Sequence, residues 1–260
     1  MGSPYILRVS SQKGGVGKTT IAVNLAVALQ EKEYETLLFD GDFINPSVGY
    51  HLGMEKTNVG LRSLLLGRTS LQETTVIHAP TGLHVVPGEI RIKPYSPTNE
   101  QLMRSMNQLR KSRYDFIVID TPPGYYPTEI LPYYTEAMII ATPEMSSCVS
   151  AVRQAELYAR SHLAHRLVAN RIRNRRYELH ISEMEDVYGD RVFSQLPEDD
   201  IVPVSVAEHI PAYILNRRAP FSKGINDLAR RYGSKVEVGE RGEEERPRRS
   251  FWQKLFWWRG

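Results

Sequence analysis

One nonapeptide restricts this 260-residue chain more than any other feature: Gln12-Lys13-Gly14-Gly15-Val16-Gly17-Lys18-Thr19-Thr20. It follows a short apolar run, YILRVS at 5–10. It precedes a stretch with apolar residues at Ile21, Leu25, Ala28 and Leu29, the spacing of a helix from about Thr19 to Lys32. Glycines between a strand and a helix let the backbone curl until successive N–H groups point at one anion. The helix start adds unpaired N–H groups and a partial positive charge. Lys18 is placed to reach the β- and γ-phosphates of a nucleotide, and the Thr19 hydroxyl to ligate Mg²⁺. Gly14, Gly15, Val16, Gly17, Lys18, Thr19 and Thr20 are therefore the expected phosphate-binding set. In the generic pattern G-x-x-x-x-G-K-[ST] the first glycine would fall on Gln12. The loop is thus a variant, KGGVGKT, with an extra lysine at Lys13.

The rest of the chain alternates strands with helices. TLLFD at 36–40, LHVVP at 83–87, DFIVID at 115–120, AMIIAT at 137–142, RLVAN at 166–170 and RVFSQLP at 191–197 read as strands. Helices are expected from the cap Thr98 to about Ser112, near 147–161 and near 221–232. The strands are apolar runs rather than alternating ones, as when both faces are buried. Parallel neighbours need crossover connections. The fold class that follows is α/β, a three-layer arrangement of a mainly parallel sheet with helices on both faces.

Three polar segments close such strands. FDGDFINPS at 39–47 places Asp40 at a strand end, near a metal or as a strand-end cap, and Asp42 two residues on. IVIDTPPG at 117–124 places Asp120 at the carboxyl edge of a buried strand, where α/β sheets hold ligands. VANR at 168–171 places Asn170 likewise.

Loop and segments together resemble the ParA/MinD family of ATPases, which carries a deviant Walker A loop. The resemblance covers about residues 5–233 and implies a P-loop NTPase fold holding ATP and Mg²⁺. It implies that Lys13 acts across a homodimer interface on the partner's nucleotide, and that Asp42 positions the attacking water. Lys13, Lys18 and Asp42 become the catalytic set, and Thr19, Asp40 and Asp120 the metal set. Asn170 would contact adenine, with a second base-contacting region near Pro197. Asp120 opens DTPPG where MinD-type members more often have DSPAG, so the likeness is to the superfamily.

The C-terminus is a separate matter. Residues 234–249 are charged and poor in apolar side chains, which reads as a flexible linker after an ATPase domain spanning 1–233. Residues 250–260 hold all three tryptophans. On a helix, Phe251, Trp252, Leu255, Phe256 and Trp258 fall near one face, with Lys254 among the flanking cations and Trp257 alongside. Aromatics with basic neighbours make an interfacial membrane helix, the alternatives being a groove on a protein partner and packing onto the body, against which the charged linker argues. MinD-like proteins end in such a helix, so an anionic membrane surface is an expected partner. A dimer presenting two short helices would bind where one is marginal.

Composition limits the alternatives. One cysteine, Cys148, excludes an intrachain disulfide and a CxxC metal pair, and it reads as a packed side chain. His162 and His165 are spaced i, i+3 on an expected helix, without a third ligand. No run approaches a membrane span, and the N-terminus resembles no signal peptide, so a cytoplasmic protein bound peripherally to the inner face of the cell membrane is expected. The tail 246–260 carries five cations and no acid, leaving the body slightly negative. The alternative is a ParA-like partition ATPase binding DNA through Arg171, Arg173, Arg175, Arg176, Arg217, Arg218, Arg230 and Arg231. A protein activator or cargo is implied in either case.

Overall fold

A computed structural model of the protein describes residues 3–54, 60–89, 96–124 and 127–240. β1 (Tyr5–Ser10) leads through the glycine loop into α1 (Lys18–Glu31), and β2 (Thr36–Asp40) follows. Three short helices come next: α2 (Val48–His51), α3 (Leu61–Leu65) and α4 (Leu71–Thr74). After them lie β3 (Val76–His78), β4 (Leu83–Val86), α5 (Asn99–Arg110) and β5 (Phe116–Asp120). A 3-10 turn (Thr128–Tyr133) precedes β6 (Glu136–Ala141). The remainder is α6 (Met145–Arg160), β7 (His165–Ile172), α7 (Ile181–Tyr188), β8 (Val192–Pro197), α8 (Ile201–Ala207), α9 (Ala212–Leu215) and α10 (Pro220–Glu240).

The strands form one sheet in the order β3-β4-β2-β5-β1-β6-β7-β8. Every pairing is parallel except β3 with β4. Successive side chains of a strand point to opposite faces, so each central strand feeds two cores. Leu7 and Val9 of β1 pack with α1 and α10, through Leu25, Leu29, Phe221 and Leu228. Ile6 faces the other side, with Leu109 of α5 and Tyr158 of α6. The expected α/β sandwich with helices on both faces is what forms.

Arg8 shares that second face. It is 1% exposed, and its Nε donates to Tyr158 Oη at 2.8 Å while the guanidinium also faces the ring of Tyr134. The Tyr158 hydroxyl in turn donates to Ser10 Oγ at 3.0 Å and accepts from Gln154 Nε2 at 2.9 Å.

The structure departs from the sequence reading at several points. The edge strand β3 is three residues long and antiparallel, and α2, α3 and α4 have at most five residues, too few for a period to show. α7 buries one residue, Met184, and is capped by His180 rather than by a usual capping residue. His162 is not helical: it takes a left-handed φ of 53° after α6, and His165 opens β7. The last helix does not stop near Tyr232. It runs through Gly233 to Glu240, into the segment read as linker. Gly233 is there for space, since a Cβ would lie 2.5 Å from the Tyr34 hydroxyl. Beyond it, Val236 packs on the core and Lys235 Nζ meets Glu136 Oε2 at 2.5 Å. Those contacts offset the roughly 1 kcal/mol that a mid-helix glycine costs.

No helix among the described residues is long and apolar enough to cross a membrane. The tail positions Phe251, Trp252, Lys254, Leu255, Phe256, Trp257 and Trp258 lie outside the described residues.

Candidate nucleotide site

The polar segments converge where the parallel strands end. β1 pairs with β5 so that Val9 stands beside Asp120, and β2 pairs with β5 so that Asp40 stands beside Asp120. The glycine loop lies over this edge. Gly15 and Gly17 take left-handed φ of 75° and 95°, which side chains other than glycine resist. α1 starts at Lys18 with no acid in its first turn and no side-chain cap on its N–H groups. Its dipole and free donors are left for an anion.

Asn170 ties β7 to the loop. It is 4% exposed, and its Nδ2 donates to the Val16 carbonyl at 2.7 Å. A Cβ on Gly17 would come within 2.5 Å of that nitrogen. In this structure Asn170 therefore braces the phosphate loop. Pro197 ends the adjacent strand, paired with Ile172 of β7.

Lys18 is 8% exposed. Burial pushes its ammonium below the usual value, and the negative charges of Asp120 and Asp42 pull it back up. Asp120 is more perturbed. Burial raises its carboxyl to about 7, against the Thr19 hydrogen bond and the Lys18 charge, which lower it. Thr19 Oγ1 donates to Asp120 Oδ2 at 2.6 Å and shares a 2.9 Å bond with Ser47 Oγ. The other oxygen, Asp120 Oδ1, is buried without a hydrogen-bond partner. An orphaned carboxylate oxygen beside the Thr19 hydroxyl offers hard oxygen donors of the kind Mg²⁺ takes together with phosphate, and the Lys18 charge is left for the phosphate itself. The residues present fit that ion.

Asp40 is committed differently. It is fully buried, and Oδ1 accepts from the Asp42 N–H at 3.3 Å and Oδ2 from the Val48 N–H at 3.1 Å. Burial, then the charge of Asp120, holds its carboxyl well above the usual range. Of the three metal candidates, Thr19 and Asp120 are joined directly, while Asp40 spends both oxygens on backbone and reads as the anchor of the 41–48 loop. Gly88 leaves room for this: a Cβ there would sit 2.2 Å from Pro46 and 2.9 Å from Asp40 Oδ2. Asp42 Oδ1 accepts from the N–H groups of Ile44 and Asn45 at 3.1 and 2.8 Å, shaping the same loop.

Lys13 leaves its own loop. Its Nζ donates to Ser146 Oγ at 2.6 Å and to Glu144 Oε2 at 3.3 Å, at the start of α6. Glu144, Ser146 and Ser47 were not singled out from sequence. Ser47 lies within a segment that was; Glu144 and Ser146 carry no local signal.

The arginines suggested for DNA are divided between elements. Arg171 at the end of β7 and Arg173 just beyond it pair with Glu198, which follows β8. Arg217 pairs with Glu31, and Arg230 and Arg231 with Asp227. Cys148 is fully buried in the core, as expected.

A protein-family model described as an AAA domain matches residues 5–152, more than half of the chain. The chain belongs to the ParA/MinD family of P-loop ATPases. It is 28% identical to an uncharacterized ATP-binding protein of Methanocaldococcus jannaschii over 86% of each chain. It is 26% identical to the septum site-determining protein MinD of Synechocystis, covering 87% of this chain and 88% of that one. The fold matches that of the septum site-determining protein MinD of Pyrococcus horikoshii, solved as a complex with Mg-ADP. The TM-score is 0.79 at 24% identity, over 90% of this chain and 98% of that one. MinD-like ATPase chemistry is the activity that family membership supports.

Proposed function

We propose that this ParA/MinD-family ATPase is a dimerising switch: Mg-ATP joins two subunits, the dimer attaches to an anionic membrane through residues 250–260, and hydrolysis releases it. The process served is the placement of a cargo or cellular machine, with a protein partner stimulating hydrolysis. The observation that carries this reading is Lys13, a phosphate-loop lysine directed away from its own loop onto the exposed start of α6.

In this reading the loop N–H groups of Gly14–Thr20 and the Lys18 ammonium hold the phosphates, and Asn170 keeps the loop in shape below the base, with Pro197 nearby. Thr19 and Asp120 hold Mg²⁺, which supplies charge neutralisation on the phosphates when bound. Asp42, within electrostatic range of Lys18, orients water for attack. The partner's Lys13 adds charge stabilisation that exists only in the dimer, so association and hydrolysis are linked.

The test is flotation with anionic liposomes in ATP and in ADP, using the full chain and a chain ending at Glu240. Recovery in ATP that disappears on truncation supports the switch. Equal recovery in both nucleotides overturns it.

A further inference from the structure

Away from the nucleotide edge, positive charge collects along the last helix. Residues 217–235 hold Arg217, Arg218, Lys223, Arg230, Arg231 and Lys235 against one acid, Asp227. The exposed α10 positions Lys223, Arg230 and Ser234 recur at spacings that keep them on one stripe, with Arg231 beside it. Arg217 closes the upper end of the stripe from the turn after α9. Between them lies a cleft of about 480 Å³, lined by Tyr213, Arg217, Lys223, Asn226, Asp227 and Arg230.

Basic groups outnumber acids around the cleft, where Glu31 pairs with Arg217. Asp227 is shared by two arginines. Lys32 Nζ donates at 2.8 Å to the neutral Asn226. Its ammonium is pushed down by burial and then by the charge of Arg230, against the charge of Glu31, which raises it. Lys32 closes α1, whose other end begins at the phosphate loop. Fourteen helical residues span roughly 21 Å, so an occupant of the cleft does not compete with nucleotide.

The direction of the chain says what the occupant is. α10 is described as far as Glu240, ten residues and roughly 15 Å beyond Arg230. Residues 237–245 then carry Glu237, Glu240, Glu243, Glu244 and Glu245 against Arg241, and residues 246–260 are again basic and rich in tryptophan. The pattern is basic, acidic, basic. Two cationic segments can touch one anionic surface while like charge keeps the acidic connector off it. Ten extended residues reach up to about 33 Å, enough for stripe and tail to meet the same surface.

We propose that the α9–α10 cleft and its stripe are a second membrane contact, in which Arg217, Lys223 and Arg230 receive the phosphate of an anionic phospholipid headgroup once the tail has inserted. The proposal rests on the membrane reading of residues 250–260. Each contact alone is weak; tethered to one chain, the second binds at high effective concentration.

The experiment measures partition of the full-length protein in Mg-ATP onto vesicles of phosphatidylcholine, alone or mixed with phosphatidylglycerol. The variant is Arg217→Gln/Lys223→Gln/Arg230→Gln. Basic groups near an anionic leaflet have measurable individual weight, so the triple variant partitions about tenfold less onto the mixed vesicles. Its binding to neutral vesicles and its ATPase rate are unchanged. The charge-preserving Arg217→Lys/Arg230→Lys variant binds as the wild type does, which separates charge from folding. Equal partition of the triple variant and the wild type on mixed vesicles overturns the second contact and leaves the tail reading standing. Loss of duplex DNA binding with vesicle binding intact also overturns it, assigning the stripe to nucleic acid. Failure of the wild type to bind any vesicle removes the tail reading, and this contact with it.

Discussion

The Lys13 ammonium lies 3.3 Å from the Glu144 carboxylate across 131 residues of sequence, with Ser146 Oγ at 2.6 Å completing its seat. The two side chains are 36% and 62% exposed. Solvent screening leaves such a pair worth well under about 1 kcal/mol. A cation held so loosely is free to exchange its carboxylate for a phosphate presented by another subunit, which is the stronger charge-assisted partner.

Replacing Lys13 therefore separates stability from function. Lys13→Ala changes the unfolding free energy by no more than about 0.5 kcal/mol, yet on the proposed switch it abolishes ATP-dependent dimerisation in light scattering. Hydrolysis falls by a factor of about 10² or more, as for removal of a transition-state charge. Normal dimerisation of Lys13→Ala would show that the lysine does not act between subunits.

Asp120 gives a pH signature. Its carboxyl sits at about 7 in the folded protein, against the ordinary aspartate value of 3.8 in an unfolded chain. Between those values the folded state binds more protons than the unfolded state, so this group's contribution to stability is full below about pH 4 and is lost as pH rises through 7. The size is on the order of 4 kcal/mol as an upper bound. Nucleotide-free wild type is expected to lose melting temperature over that window relative to Asp120→Asn, which lacks the titration. Parallel melting curves for the two proteins would contradict the desolvated environment of Asp120. Mg-ATP should flatten the wild-type slope, because the ion favours the ionised form.

Asn170 is expected to control the shape of the phosphate loop. Asn170→Ala leaves the Val16 carbonyl without its 2.7 Å donor. A buried acceptor so abandoned costs about 1–3 kcal/mol. Nucleotide affinity should fall roughly in step, by about tenfold, because ordering the loop then falls to the ligand. Gly17→Ala is worse, since it combines a φ of 95° with a clash against Asn170. Isothermal titration with ADP, paired with thermal melts, distinguishes a loosened loop from an unfolded protein.

How much of this was legible depends on what carries the signal. The parallel strands and α1 declared themselves because a strand buried on both faces must be apolar throughout, and because glycines, Lys18 and Thr19 sit between them. The capping boxes of Thr98 with Gln101, and of Ser70 with Glu73, are local pairs; of these four residues only Thr98 is named as a cap from sequence, and the rest were there to be read. The seat of Lys13 could not be, because Glu144 and Ser146 reach it only after β6 is inserted beside β1. Asp40 shows the same limit. Its place at a strand end is a sequence fact, but the capture of its oxygens by Asp42 and Val48 depends on how the following loop returns.

The tyrosine seat of Arg8 is another feature made by folding. The Tyr158 hydroxyl touches Arg8, Ser10 and Gln154 together, all buried. Tyr158→Phe removes one oxygen and leaves a guanidinium nitrogen short of its acceptor, at a cost of about 2–3 kcal/mol for a hydrogen bond to a charged group. Urea denaturation checks this. A loss within about 0.5 kcal/mol, the usual range for a surface change, would mean that other partners of Arg8 carry it.

The end of the folded body is testable in the same way. Gly233 suggests a stop by composition, but Lys235 lies against Glu136 and over the rings of Tyr5, Phe193 and Tyr232. Glu136 is 4% exposed and accepts from Tyr5 and Tyr232 as well, so removing Lys235 withdraws one of its two cations among the described residues, Arg166 being the other. A chain ending at Gly233 is expected to lose about 2–4 kcal/mol, combining the weakened buried ion pair with the lost apolar cover of Val236. A chain ending at Glu240 keeps the wild-type melting temperature. Lys235→Met separates the terms: it preserves much of the packing over the rings and removes the charge, so it should fall between the two truncations. If the Gly233 chain melts with the wild type, α10 beyond that residue adds nothing to the fold, and the ATPase body ends where the glycine first suggested.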